Sequence, residues 1–218
     1  GGGFLQKDGW YYWIGENKSH DRAVLNAVSL YRSQDLLNWE FVHNIVTTAT
    51  PGVCVTGTYT GAECKIERPK LLVNEATGKY VMWGHWETAD SYAASHVIVA
   101  TSDTIDGDYT IVANFRPGVG DIATDAADPT YPGTDGKSGY GSRDFTVFKD
   151  PDTNKAYLFS AQDHQDMRVY PLTDDYTGVD VAASYPLFVG GHREAPAVVK
   201  IDGTYHVLTS GQSGWYPN

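Results

Sequence analysis

Short runs of alternating apolar and polar residues fill this chain, broken at close intervals by Gly, Asp, Asn and Pro. They read "GWYYWIG", "AVSLYRS", "KLLV", "KYVMWG", "SHVIVATS", "YTIVANF", "FTVF", "KAYLFSA", "MRVYPL", "PAVVK" and "TYHVLTS". β-Branched and aromatic residues dominate these runs, and the spacing of amphipathic helices is poorly represented. The pattern predicts an all-β chain.

A repeat underlies the runs. One offset carries Tyr11 onto Tyr80, Gly15 onto Gly84 and Ser33 onto Ser102. Tyr157 and Tyr205 extend the same column, because "AYLFSA" and "TYHVLTS" overlay "YYWIG" and "YVMWG". Each unit reads as four strands, so the series predicts β-propeller blades, which bury their faces only by stacking on one another. The expected blades are 1–65, 66–142, 143–192 and 193–218, the last holding roughly two strands. On this reading the 218 residues form one incomplete propeller domain, a fragment cut at both ends.

The repeat aligns three acids. Glu67 and Asp144 each stand 13 residues before their column tyrosine, and Glu194 stands 11 before Tyr205, after a turn two residues shorter. All three therefore start an innermost strand and should ring one mouth of a central channel. Carboxylates crowded together raise one another's proton affinity, which serves chemistry better than stability. The alternative is that each acid pairs with the neighbouring Arg68, Arg143 or Arg193. The second strand of each unit returns to the same mouth, bringing Glu16, His85 and Trp86, Gln162 and Asp163, and Ser210. Glu16 and Trp86 are the favoured substrate contacts, for hydroxyl binding and ring stacking. His164 could face the funnel, and Ser213 and Trp215 could wall it.

Charge and cysteines narrow the setting. Sixteen basic against 27 acidic residues leave a net charge of −11, which argues against nucleic acid and against an anionic membrane surface. No apolar run approaches the ~20 residues of a membrane span. Cys54 and Cys64 flank a Gly- and Thr-rich stretch, so either a disulfide pinning a loop or two free thiols would fit. The disulfide is the expectation, with an extracellular or periplasmic protein as its consequence. Metal-ligand spacing is absent, and a cofactor is not expected. With 6 Trp and 15 Tyr beside the acids, a sugar-binding cleft fits the composition.

Several segments together resemble glycoside hydrolase family 43. "SQDLLNW" matches a segment frequent in that family, "SRDFTVFKD" its third-blade Asp motif, and "REAPAVVKIDGTYHVLTSGQSGWYPN" its fourth-blade general-acid motif. "GGGF", "ERPKLLVN" and "GWYPN" are most similar to the exo-β-1,3-galactanase branch. The resemblance implies a five-bladed propeller, of which about three and a half blades are present. It implies an inverting hydrolase that acts as a monomer on oligo- or polysaccharide, cleaving β-1,3-galactan chains. Glu194 would be the general acid, Asp144 would hold and tune it, and Glu67 would bind the first sugar with Glu16 and Tyr92. Some members hold a central cation such as calcium. The first-blade Asp that serves as base in most members would lie before Gly1. A Gln thought to assist the water in the galactanase branch would fall beyond Asn218. Other family-43 activities, an α-L-arabinofuranosidase or a β-xylosidase, remain open, as does a non-catalytic sugar-binding propeller. Phe145 after Arg143-Asp144 departs from invertase-like enzymes, which have Pro there.

Overall fold

The computed structural model describes residues 1–18, 23–56, 59–118, 141–161, 167–214 and 216, and no helix occurs among them. The first sheet is a meander of β1 (Gly3–Lys7), β2 (Trp10–Lys18), β3 (Leu25–Ser33) and β4 (Glu40–Thr47). A two-stranded ribbon follows, β5 (Val55–Thr56) with β6 (Tyr59–Thr60). The second meander contains β7 (Cys64–Asn74), β8 (Lys79–Thr88), β9 (His96–Ser102) and β10 (Thr110–Phe115). The third contains β11 (Phe145–Lys149), β12 (Ala156–Ala161), β13 (Met167–Pro171) and β14 (Tyr185–Leu187). A hairpin of β15 (Arg193–Ile201) and β16 (Thr204–Gly211) ends the series.

Local sequence explains the hairpins. Lys7 pairs with Trp10 across Asp8 and Gly9, at φ 50° and 80°. Ile201 pairs with Thr204 across Asp202 and Gly203, at φ 49° and 76°. Both are Asp-Gly turns, whose positive φ values match the twist of the flanking strands. The tyrosine column holds in space: Tyr11, Tyr80, Tyr157 and Tyr205 are each the second residue of a second strand. "SQDLLNW" is a turn rather than a reactive site. The Asp35 carboxylate accepts the Leu37 and Asn38 N–H groups and the Ser33 hydroxyl.

Each sheet buries a face against the next. Ile14, Val28 and Leu30 of the first pack with Ile66, Met82 and Trp86 of the second. Val81, Trp83 and Val97 on the other side of the second sheet pack with Phe145, Leu158 and Tyr170 of the third. Phe159, Met167 and Val169 then meet Val198 and Val207 of the hairpin. Each such side chain contributes about 1.5–3 kcal/mol on burial. The indole N–H groups are not wasted: Trp83 donates to the Tyr176 carbonyl at 2.9 Å and Trp86 to that of Val53 at 2.8 Å. Cys54 and Cys64 are joined in a disulfide that closes the loop over this region.

The two outer faces are apolar and open. Phe4, Trp13, Tyr31 and Phe41 pair in register across the four strands of the first sheet, and Phe4 is 67% exposed. On the hairpin, Leu208 is 61% exposed. Between these faces, the first strands of all four units line one cavity of about 510 Å³, with Gly3, Leu71, Phe145 and Ala197 on its wall.

Candidate active site

Two of the three acids stand at a break in their strand. In β7, Glu67 pairs with His85, but the next pair is Lys70 with Trp83. In β15, Glu194 pairs with Ser210, and the next pair is Ala197 with Leu208. The intervening sequences are Arg68-Pro69 and Ala195-Pro196. Proline offers no N–H to the ladder, so a bulge takes up the extra residue. Arg68 and Ala195 carry φ values of 53° and 49°, a conformation that costs a non-glycine residue about 1–2 kcal/mol. The Arg68 N–H freed by its bulge donates to Glu16 Oε1 at 2.8 Å. Asp144 directly precedes β11, and its carbonyl accepts the Ala161 N–H at 2.8 Å.

The charges interleave. Arg68 reaches across to the next sheet and binds Asp144 Oδ2 at 2.7 Å. It does not pair with its neighbour Glu67, as local pairing would have it, and Arg193 donates instead to the Thr209 hydroxyl and carbonyl. Burial and the Asp144 charge push the Glu194 carboxyl above the usual carboxylate range, against a smaller pull from Arg68. Burial also acts on Glu16, but the Arg68 N–H and Lys18 hold it below that range. On Glu67, Oε1 takes hydrogen bonds from Lys18 Nζ at 2.6 Å and the Tyr92 hydroxyl at 3.0 Å. Burial and the Glu67 charge push the Tyr92 hydroxyl well up, which keeps it a donor.

Arg68 joins Glu16, through its N–H, to Asp144, through its guanidinium; Glu194 feels the Asp144 charge, and Lys18 joins Glu16 to Glu67. Crowding is less uniform than the sequence suggests, because Arg68 and Lys18 sit among the acids. Tyr92 is 39% exposed at the rim and touches Glu67. The oxygens of Glu16 serve the Arg68 bulge and Lys18.

Trp86 requires a correction. It is 0% exposed, packed edge-on to Tyr59 in the first core, and cannot offer a face to a sugar. Strand alternation explains this: His85 turns toward Glu67 and Glu87, so the next residue turns to the opposite face, into the first core. The Ser213 hydroxyl donates to the Tyr216 carbonyl within its own turn. His164 and Trp215 lie outside the described residues. Lys18 escaped the sequence reading, although its place two residues after Glu16 on one strand could have drawn attention to it. Among the described residues no group of three or more His, Cys, Asp or Glu side chains is arranged to hold a metal ion.

Fold and site together define a class. An all-β scaffold that carries carboxylates on or just before the first strands of successive sheets, with one acid raised by the charge of another carboxylate, is equipped as glycoside hydrolases are. No family model and no curated protein matches the chain. Solved structures do. An exo-β-1,3-galactanase from Clostridium thermocellum is 40% identical over 100% of this chain and 43% of its own, with a TM-score of 0.82. One from Phanerochaete chrysosporium, solved with β-1,3-galactotriose, is 33% identical over 100% of this chain and 44% of its own, at 0.78. A GH43 β-1,3-galactosidase solved with galactodeoxynojirimycin is 32% identical over 100% of this chain and 70% of its own, at 0.79. The chain belongs to glycoside hydrolase family 43. It spans less than half the length of the two galactanases.

Proposed function

We propose that the protein is an inverting exo-hydrolase of β-1,3-galactan main chains in arabinogalactan-type polysaccharides. Glu194 is the general acid that protonates the departing glycosidic oxygen. Asp144 keeps that proton in place through its charge and is itself held by Arg68. Glu67 binds the terminal sugar, with Tyr92 orienting its carboxylate. Water attacks the opposite face of the ring, as inversion requires. The observation that carries this reading is the raised carboxyl of Glu194 beside Asp144, since a general acid must hold its proton at working pH.

The chain is read as about three and a half blades of a five-bladed propeller, divided at 1–65, 66–142, 143–192 and 193–218. Aromatic residues in a row on an open sheet face support this, because further blades would cover them. The Cys54–Cys64 disulfide supports an extracellular or periplasmic setting. A monomer acting on polysaccharide is the expected form.

The test is Glu194→Gln in the full-length enzyme. Hydrolysis of β-1,3-galactobiose should fall by roughly 10²–10⁴-fold. An aryl β-galactoside, whose leaving group needs little protonation, should lose far less. Equal losses on both substrates, or none, would remove Glu194 as the acid. A panel of arabinosides and xylosides separates galactanase from other activities of the family.

A further inference from the structure

We propose that His85, fixed by Glu87, is a positioning residue for Glu67. The inference rests on the reading of Glu67 as the sugar-binding carboxylate, and nothing in that reading uses either residue.

His85 stands directly opposite Glu67 in the β7–β8 ladder and is 3% exposed. Its Nε2 lies 2.8 Å from Glu87 Oε1. Glu87 is wholly buried, and it also accepts the Ala94 N–H on Oε2 at 2.8 Å and the Ser95 N–H on Oε1 at 3.0 Å. A buried carboxylate so placed takes a hydrogen from the ring, because two facing lone pairs at this distance would repel. The other ring nitrogen, Nδ1, is buried with no hydrogen-bond partner and lies 3.8 Å from Glu67 Oε2. Lys18 and Tyr92 both use Oε1 of Glu67, so Oε2 is the oxygen left facing the ring.

A ring with one hydrogen cannot satisfy both sides. Given to Glu87, it leaves Nδ1 an orphaned acceptor aimed at a carboxylate. A ring carrying hydrogens on both nitrogens joins the two acids, and a side-chain adjustment of about 1 Å brings Nδ1 and Oε2 within bonding distance. The groups facing this ring are Glu67 from β7, Glu87 from β8 and Tyr92 from the loop after β8, with Lys18 of β2 acting through Glu67 and Lys65 of β7, opposite Glu87 and over the Tyr92 ring, acting on both carboxylates. The chain of contacts ties the sugar-binding carboxylate to a fixed point in the core. It should govern sugar affinity more than proton transfer to the leaving group.

Nitrogen-15 NMR of the full-length enzyme, labelled at histidine, counts the hydrogens on His85, with the signal assigned by its loss in His85→Asn. Two N–H groups are expected, falling to one in Glu87→Gln. In kinetics on β-1,3-galactobiose, Glu87→Gln should raise KM by about tenfold with kcat changed far less, as expected when an aimed group drifts. His85→Asn, whose amide can stand where Nδ1 does, should restore most of the affinity lost in His85→Leu. A wild-type ring with one N–H overturns the proposal, as does Glu87→Gln with a wild-type KM. A merely structural pair would lower the melting temperature and leave KM alone. The hydrogen count needs no substrate, so it stands or falls apart from the galactanase reading.

Discussion

The electrostatics around Glu194 can be tested by sign. Two charges act on this carboxyl besides its burial: Asp144 raises its proton affinity, and Arg68 lowers it. Removing each should move the enzyme in opposite directions. At a separation on the order of 6 Å and an effective dielectric of roughly 40, suited to a half-exposed group, a unit charge contributes about 1.4 kcal/mol. Asp144→Asn should therefore lower the proton affinity of Glu194. The shift should be slightly larger if Arg68, freed from its 2.7 Å contact, turns toward Glu194. Arg68→Met should raise it by less, since Arg68 is the weaker of the two influences. The assay is the pH dependence of kcat for the full-length enzyme on β-1,3-galactobiose. A general acid works only while protonated, so activity fades as pH climbs through its pKa. The alkaline limb should move down in Asp144→Asn and up in Arg68→Met. Limbs that move together, or an Asp144→Asn limb that coincides with wild type, would refute the arrangement.

Other expectations concern stability. Burial, with help from Arg68, lowers the Lys70 ammonium to about 8. Both states are protonated below that value and the penalty is complete; it lifts as pH rises from about 8 toward the unfolded value near 10.4. Lys70→Met should then stabilise the enzyme at pH 7 by about 1–2 kcal/mol, discounted for partial exposure, and the gain should vanish near pH 10 in urea titrations. Reducing Cys54–Cys64, which closes a loop of sequence separation 10, should cost about 2–3 kcal/mol by thermal melting with and without reductant. Trp86→Ala should cost about 3–5 kcal/mol by the same measurement. Galactose affinity of the folded fraction should be unchanged, because the indole lies in the core.

Much of the scaffold could be read in the residues, and the reasons are local. Alternation and Gly, Asp and Pro breaks reveal strands, and the tyrosine column reveals the repeat, because each tyrosine fills the same place beside a turn. The common position of Glu67, Asp144 and Glu194 follows from that column alone. Strands β1 and β4 carry weaker signals, since Gly3 and the polar pair His43-Asn44 dilute them. What the residues could not reveal is reach. Arg68 lies beside Glu67 in the chain yet serves Asp144 in the next sheet, and no spacing rule anticipates a contact between sheets. Trp86 was misplaced for a related reason: a tryptophan beside acids suits a sugar platform, but only the alternation within β8 decides which way it turns.

The bulge after Glu67 has a consequence for parity. Side chains on a strand repeat every two residues, so residues an odd number apart should part company. Ile66 and Leu71 nevertheless share the first core, and Leu72 falls to the second. The inserted residue works as a phase shifter, letting one strand obey separate alternations above and below Pro69. Deleting a single residue there would leave the composition almost untouched and throw half the strand out of step with its neighbours.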